Sequence, residues 1–267
     1  MTVTEPAFPA TVVPDEFAGR VVLVTAAAGA GIGQAAARRF AASGATVVVT
    51  DSHERRTAAV TAAIAADYPN ATVVGHPMDA GDRQAIDRVI DSVAADHGGI
   101  DVLVNNAAVN VIASHFDYDP EVWDWVVNVN LTGPWYLCRR ILPLMRDRGR
   151  GGVIVNVSSF APDVGGNGLE SPYAITKGGL NVLTRSVAHE GGKYGIRAVT
   201  VSMGVVRGTK FIDDHPEILE GPDARGVLPW LPCAADIAET IAFVASDRAR
   251  CITGESINVS SGSYMRV

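Results

Sequence analysis

The chain has 267 residues, 48% hydrophobic and 19% charged, which suits one large α/β domain and rules out global disorder. Its 29 acidic and 22 basic residues leave a formal charge of −7, which argues against nucleic acid and against an anionic membrane surface as partners. Cys138, Cys233 and Cys251 are far apart and form no C-x-x-C pair, residues 1–18 carry no secretory signal, and no stretch suits a membrane span, so a metal-free chain in a reducing cytoplasm is expected.

Residues 1–18 carry Pro6, Pro9 and Pro14 without periodicity and read as an extended arm, either loose or draped over the domain. After Gly19, strand-like and helix-like segments alternate. Val21–Thr25 reads as a first strand and Ile32–Ser43 as an alanine-rich helix closed by Gly44. Thr46–Thr50 is a second strand, 54–67 a helix, Thr72–Gly75 a third strand and 82–97 a helix ended by Gly98-Gly99. Val102–Val104 starts a fourth strand, 120–147 is mostly helical and Val153–Val157 is a fifth strand. Residues 172–193 are helical, Arg197–Val201 is a sixth strand, 234–246 a helix and Ser256–Val259 a last strand. Strands that are apolar throughout, separated by helices, predict a parallel sheet covered on both faces: a doubly wound Rossmann-type α/β fold in a single domain over 19–267. The stretch 205–233, with Pro216, Pro222, Pro229 and Pro232, is irregular and is expected to be a lid.

The first strand runs into Thr25-Ala26-Ala27-Ala28-Gly29-Ala30-Gly31-Ile32-Gly33, and a helix follows. Small residues let backbone N–H groups approach a diphosphate, and the helix N-terminus adds a partial positive charge. A tight turn without ligand is the plain alternative. Asp51 ends the second strand, 18 residues after Gly33, where a carboxylate accepts from both ribose hydroxyls and repels a 2′-phosphate. This favours NAD over NADP; Arg55 and Arg56 work against it, and simple capping of helix 54–67 is the alternative role. Asp79-Ala80 follows the third strand and suits the adenine edge. Asn105-Asn106-Ala107-Ala108 follows the fourth; Asn105 is expected to tie strand ends together and Asn106 to contact the cofactor.

Ser171-Pro172-Tyr173-Ala174-Ile175-Thr176-Lys177 opens a helix, with Ser171 expected as N-cap and Pro172 as the first helical residue. Tyr173 and Lys177 are four apart on one face. A tyrosine titrates near pH ~10. An adjacent ammonium and a positively charged nicotinamide are both expected to favour the phenolate and make Tyr173 a proton-transfer group beside a hydride carrier.

Together with Val129-Asn130-Leu131-Thr132-Gly133 and Val155-Asn156-Val157-Ser158-Ser159, these motifs resemble, in order, the short-chain dehydrogenase/reductase family over roughly 19–262. The resemblance implies a seven-stranded parallel sheet, a homotetramer built on two long helices, and a catalytic set of Asn130, Ser159, Tyr173 and Lys177. It implies that Ser159 hydrogen-bonds the substrate oxygen and that the Asn130 carbonyl holds a relay water. It further implies that Lys177 binds the nicotinamide ribose and that Val206 offers its backbone to the carboxamide. On the residues alone, Ser159 could be a strand-end cap and Asn130 a solvent-facing helix residue. The chain departs from the family pattern at Ala26, Ala108, Met203-Gly204, Gly208-Thr209 and Ser260-Ser261-Gly262, and its glycine turn is one residue longer. The added methyls are expected to push the turn outward or to weaken diphosphate binding slightly.

The substrate pocket is expected to include Val109, Asn110, Ser159, Phe160, Pro162, Val164, Leu169, Tyr173, Met203, Val205, Phe211 and Trp230. Most are apolar, so the expected small-molecule substrate is a hydrophobic secondary alcohol or ketone, steroid-like or an acyl thioester, oxidised with NAD. The alternatives are an NADPH-dependent 3-oxoacyl-thioester reductase and a non-catalytic dinucleotide sensor on the same fold.

Overall fold

The computed structural model describes residue 5 and residues 12–221 and 224–265. Seven parallel strands form one sheet: β1 (Val21–Val24), β2 (Thr46–Asp51), β3 (Thr72–Pro77), β4 (Val102–Asn105), β5 (Gly152–Ser159), β6 (Ile196–Met203) and β7 (Ser256–Val259). Their order is β3-β2-β1-β4-β5-β6-β7. The expected strands are all present; β2 to β6 run one to three residues longer than the sequence alone suggests, because polar residues such as Ser158 and Ser159 continue the ladder into the site.

Among the described residues eight α-helices surround the sheet or its carboxyl edge: α1 (Ile32–Ala42), α2 (Glu54–Asp67), α3 (Arg83–His97), α4 (Pro120–Val127), α5 (Gly133–Arg148), α6 (Ser171–Gly191), α7 (Lys210–Asp214) and α8 (Ala234–Ala245). Successive strand residues point to opposite faces. Val22, Val24, Val47, Val49 and Val104 meet Phe40 of α1 and Ile237 and Ile241 of α8. Leu23, Val48, Leu103 and Ile154 meet Ile90 of α3, Ile141 of α5 and Val187 of α6. Both layers are buried, which is why the strands read as unbroken apolar runs.

Two local features set the site and left no trace in hydrophobic periodicity. Between α4 and α5, Asn128–Thr132 forms one widened π-helical turn. Between β5 and α6, Gly165, Gly166, Asn167 and Gly168 all take positive φ. Gly166 is required there twice over, since a Cβ would also lie 3.1 Å from that of Glu170 and 3.2 Å from that of Ala174.

Most of the arm over 1–18 lies outside the described residues. Its end is fixed: Phe17 is 2% exposed and stacks edge-on against Phe40 at 4.8 Å. Within 205–233, α7 and a 3₁₀ turn over Pro216–Glu220 replace the expected irregular loop, and a bridge between Arg207 and Cys233 closes its base. No helix among the described residues is long and apolar enough to cross a membrane.

Candidate active site

The carboxyl ends of β1 and β4 meet where strand order reverses, and the glycine turn stands over that switch point. Gly31 caps α1 without a side chain and the first turn contains no acid, so no side chain caps its N–H groups. A Cβ on Gly29 would meet nothing, and one on Gly31 only Thr209 across the cleft at 3.9 Å. This open cradle of donors fits a diphosphate. Ala26 takes φ 50°, a left-handed conformation that costs alanine energy, and Gly33 packs directly beneath its carbonyl.

Thr25, expected to touch the cofactor, is buried and braces the turn instead. Its hydroxyl accepts the N–H groups of Asn106 and Ala107, each at 2.9 Å, and donates to the Val104 carbonyl. The Asn106 amide is likewise committed to the turn, donating to the carbonyls of Thr25 and Ala26 at 3.0 and 3.3 Å. These two side chains shape the cradle from below. Asn105 ties β4 to β5, as expected, through Asn156 at 2.8 Å.

The Asp51 side chain is 6% exposed; it accepts from the His53 N–H and from Arg56, both at 3.0 Å. Helix capping is therefore only part of its work, since the guanidinium takes the same oxygen. Asp79, exposed beyond β3, accepts the Gly81 N–H at 2.8 Å, and Ala80 is buried beside it.

Helix α6 carries the chemical groups. Glu170, not Ser171, is its N-cap, and Pro172 is the second helical residue; the Ser171 hydroxyl bonds the His115 ring instead. The Tyr173 phenol shares a hydrogen bond with Ser159 at the end of β5. Lys177 is 2% exposed, donates to the Val157 carbonyl at 2.8 Å, and lies 5.5 Å from the Tyr173 ring centre. Asn130, in the π turn, is fully buried rather than facing solvent. Its amide bonds both the N–H and the carbonyl of Val109 at 2.8 Å, and donates to Thr176 at 3.3 Å.

Among the influences that the protein itself exerts on the Tyr173 phenol, burial is the largest. Burial pushes Tyr173 up to about 12; the Ser159 hydrogen bond opposes this and the nearby Glu170 carboxylate adds to it. Burial also pulls Lys177 down to about 7. Helical spacing predicts the encounter of the two groups but not the desolvation that dominates both.

Ser159 and Tyr173 open into a cavity of about 430 Å³. Val109, Asn110, Phe160, Val164, Leu169, Met203, Val205 and Phe211 line it as expected, and Val206 joins them. Trp230 does not: it lines a separate cavity with Tyr264 and Pro232, because residues 226–232 fold back toward the chain end. Pro162 packs beside Gly178 and is absent from the lining. The sequence alone does not show Ile112, in the loop after β4, Ile212 and Ile218, which α7 and the turn after it bring in, or Glu170.

A family model described as enoyl-(acyl carrier protein) reductase matches residues 26–263. A reductase of Mycobacterium tuberculosis (strain ATCC 25618 / H37Rv), named for a (5R,7aS)-5-hydroxy-7a-methyl-1-oxo-hexahydro-indene-carboxyl-CoA substrate, is 40% identical over 94% of this chain and 97% of its own length. The 3-oxoacyl acyl-carrier-protein reductase FabG of Escherichia coli (strain K12) is 32% identical over 93% of this chain and 99% of its own. A solved structure described as a short-chain dehydrogenase/reductase, glucose/ribitol dehydrogenase, from Brucella melitensis superposes with a TM-score of 0.86 at 29% identity, covering 95% and 100% of the two chains. Fold and likeness together define an oxidoreductase acting on small molecules. The chain belongs to the short-chain dehydrogenase/reductase family, whose members bind a nicotinamide dinucleotide.

Proposed function

We propose that the protein interconverts a secondary alcohol and a ketone on a hydrophobic, ring-containing acyl thioester, with NAD(H) as partner in hydride transfer. The observation that carries this reading is the Ser159–Tyr173 pair at the wall of a cavity lined mostly by apolar side chains. The Mycobacterium tuberculosis relative named for a fused-ring CoA ester supports the substrate class.

The cradle at Gly29, Gly31, Ile32 and Gly33 suits the diphosphate, Asp51 the adenine ribose, and Asp79 and Ala80 the adenine edge. Lys177 and Val206 are assigned the nicotinamide end. A bound nicotinamide dinucleotide supplies or accepts the hydride. Ser159 donates to the reacting oxygen and stabilises charge as it develops. Tyr173, protonated at neutral pH, gives its proton to a carbonyl oxygen, and takes one back from an alcohol once it is ionised. Lys177 and a water on the Asn130 carbonyl return protons to Tyr173 from solvent. Helix α7 closes over the cavity, and the two long helices α5 and α6 build a tetramer.

A panel of ring ketone thioesters, 3-oxoacyl thioesters and small polyols, each with NAD(H) and NADP(H), tests the proposal. Turnover confined to polyols removes the hydrophobic substrate. A clear preference for NADPH with 3-oxoacyl thioesters establishes the second reading, which the Arg56 guanidinium beside Asp51 and the likeness to FabG favour.

A further inference from the structure

Glu170 is the one charged side chain among the described residues that line the cavity. It stands at the N-terminus of α6, three residues before Tyr173, where the helix dipole favours a carboxylate. The chain holds it there deliberately tight: its N–H bonds the Gly166 carbonyl at 3.1 Å, and the left-handed Gly166 leaves room for its Cβ. Its Oε1 accepts from the Asn110 amide at 2.7 Å. The other end of that amide, Asn110 Oδ1, is buried and accepts no hydrogen bond among the described residues. This end of the cavity therefore presents acceptors and a negative charge.

We propose that Glu170, steadied by Asn110, is a specificity-determining residue that excludes free carboxylates from the cavity, so that a substrate's acid group must first be masked as a thioester or ester. The inference rests on the hydrophobic-substrate reading above and narrows it. An ionised carboxylate only accepts hydrogen bonds, so it finds no donor on Glu170 and meets a like charge across apolar walls, where screening is weak. A neutral thioester or ester carries no such penalty. The class of reaction that must supply the substrate is then acyl activation of a hydrophobic acid, upstream of the redox step.

The test is calorimetric binding of a decalone carboxylic acid and of its methyl ester to the whole protein. The unmodified protein should bind the ester about tenfold tighter or more, the scale of one like-charge encounter at short range in a poorly screened site. In Glu170→Gln the ratio should fall below about threefold, and in Glu170→Asp, which keeps the charge, it should persist. Melting curves confirm that both variants are folded. Equal binding by the unmodified protein, a ratio unchanged in Glu170→Gln, or binding of neither compound overturns the proposal. Selective ester binding with no hydride transfer to either compound sinks the redox reading instead and leaves this one standing.

Discussion

The Lys177 ammonium donates to the Val157 carbonyl at 2.8 Å, while the Ser158 hydroxyl, one residue along the same strand, donates to the Lys177 carbonyl at 3.1 Å. Side chain and backbone of one lysine thus both clamp α6 to β5, and the clamp sets where Tyr173 meets Ser159. It also takes a cation out of water. Burial pulls Lys177 from 10.5 down to about 7, so its folded value lies below its unfolded one. As pH falls through that interval the unfolded chain takes up a proton that the folded chain refuses, and stability is lost. Lys177→Met should therefore abolish turnover and raise the melting temperature at about pH 6 by about 3 °C or more, with the gain vanishing near pH ~10.5. Melting scans at the two pH values check this; a gain independent of pH would assign it to packing alone.

Tyr173 gives the second prediction. With its phenol held up at about 12 by burial, the ionised form needed to take a proton from an alcohol grows as pH rises, whereas the protonated form needed for reduction is already saturated at neutrality. Alcohol oxidation should rise about tenfold per pH unit between about pH 6 and 9, and ketone reduction should stay flat over the same range. Tyr173→Phe should lower kcat in both directions by about a thousandfold and change dinucleotide affinity by less than about twofold. Steady-state rates beside a fluorescence titration of the dinucleotide separate the two effects.

The fold was legible because the doubly wound sheet leaves a plain signature: Val47-Val48-Val49 and Val153-Ile154-Val155 are covered on both faces and show no alternation. The order of motifs along the chain brought Ser159, Tyr173 and Lys177 together correctly. What failed was whatever depends on burial or on loop path. The burial of Tyr173 and Lys177 is not legible, because spacing shows a neighbouring cation but not the water lost around both groups. Trp230 was misplaced because the path of 226–232 is set by a bond from Leu228 N–H to the Ser261 carbonyl, far away in sequence. The support that Thr25 and Asn106 give the turn is not legible either, because a small polar residue beside a glycine turn looks the same whether it faces a ligand or props the turn.

The proposed role of Asp51 and Arg56 in cofactor choice is tested by removing one partner. The carboxylate sits buried at the end of β2 and the guanidinium, half-exposed, is held on its Oδ1 at 3.0 Å. Asp51→Ala removes the acceptor for ribose hydroxyls and the repulsion toward a 2′-phosphate, and it releases Arg56 to pair with that phosphate. The Kd for NADPH should fall about tenfold and that for NADH should rise about tenfold. Binding titrations with both dinucleotides decide it: an unchanged preference would move the selection away from this pair.

Two glycines of the same turn should respond in opposite ways, which separates folding from binding. A Cβ on Gly33 would lie 2.4 Å from the Ala26 carbonyl oxygen and 2.6 Å from Asn106 Nδ2. Neither neighbour has room to yield, since Ala26 is already at φ 50° and the Asn106 amide is spent on the carbonyls of Thr25 and Ala26. Gly33→Ala should therefore cost about 2–4 kcal/mol of stability in addition to dinucleotide binding. A Cβ on Gly29 would meet nothing within 4 Å, so the fold has no objection to it. With the diphosphate placed in the cradle as proposed, the added methyl meets only that ligand. Gly29→Ala should keep the stability of the parent within about 0.5 kcal/mol while weakening dinucleotide binding about tenfold or more. Urea unfolding beside dinucleotide titration reads both quantities; full dinucleotide affinity in Gly29→Ala would mean that the diphosphate does not approach the turn at that residue.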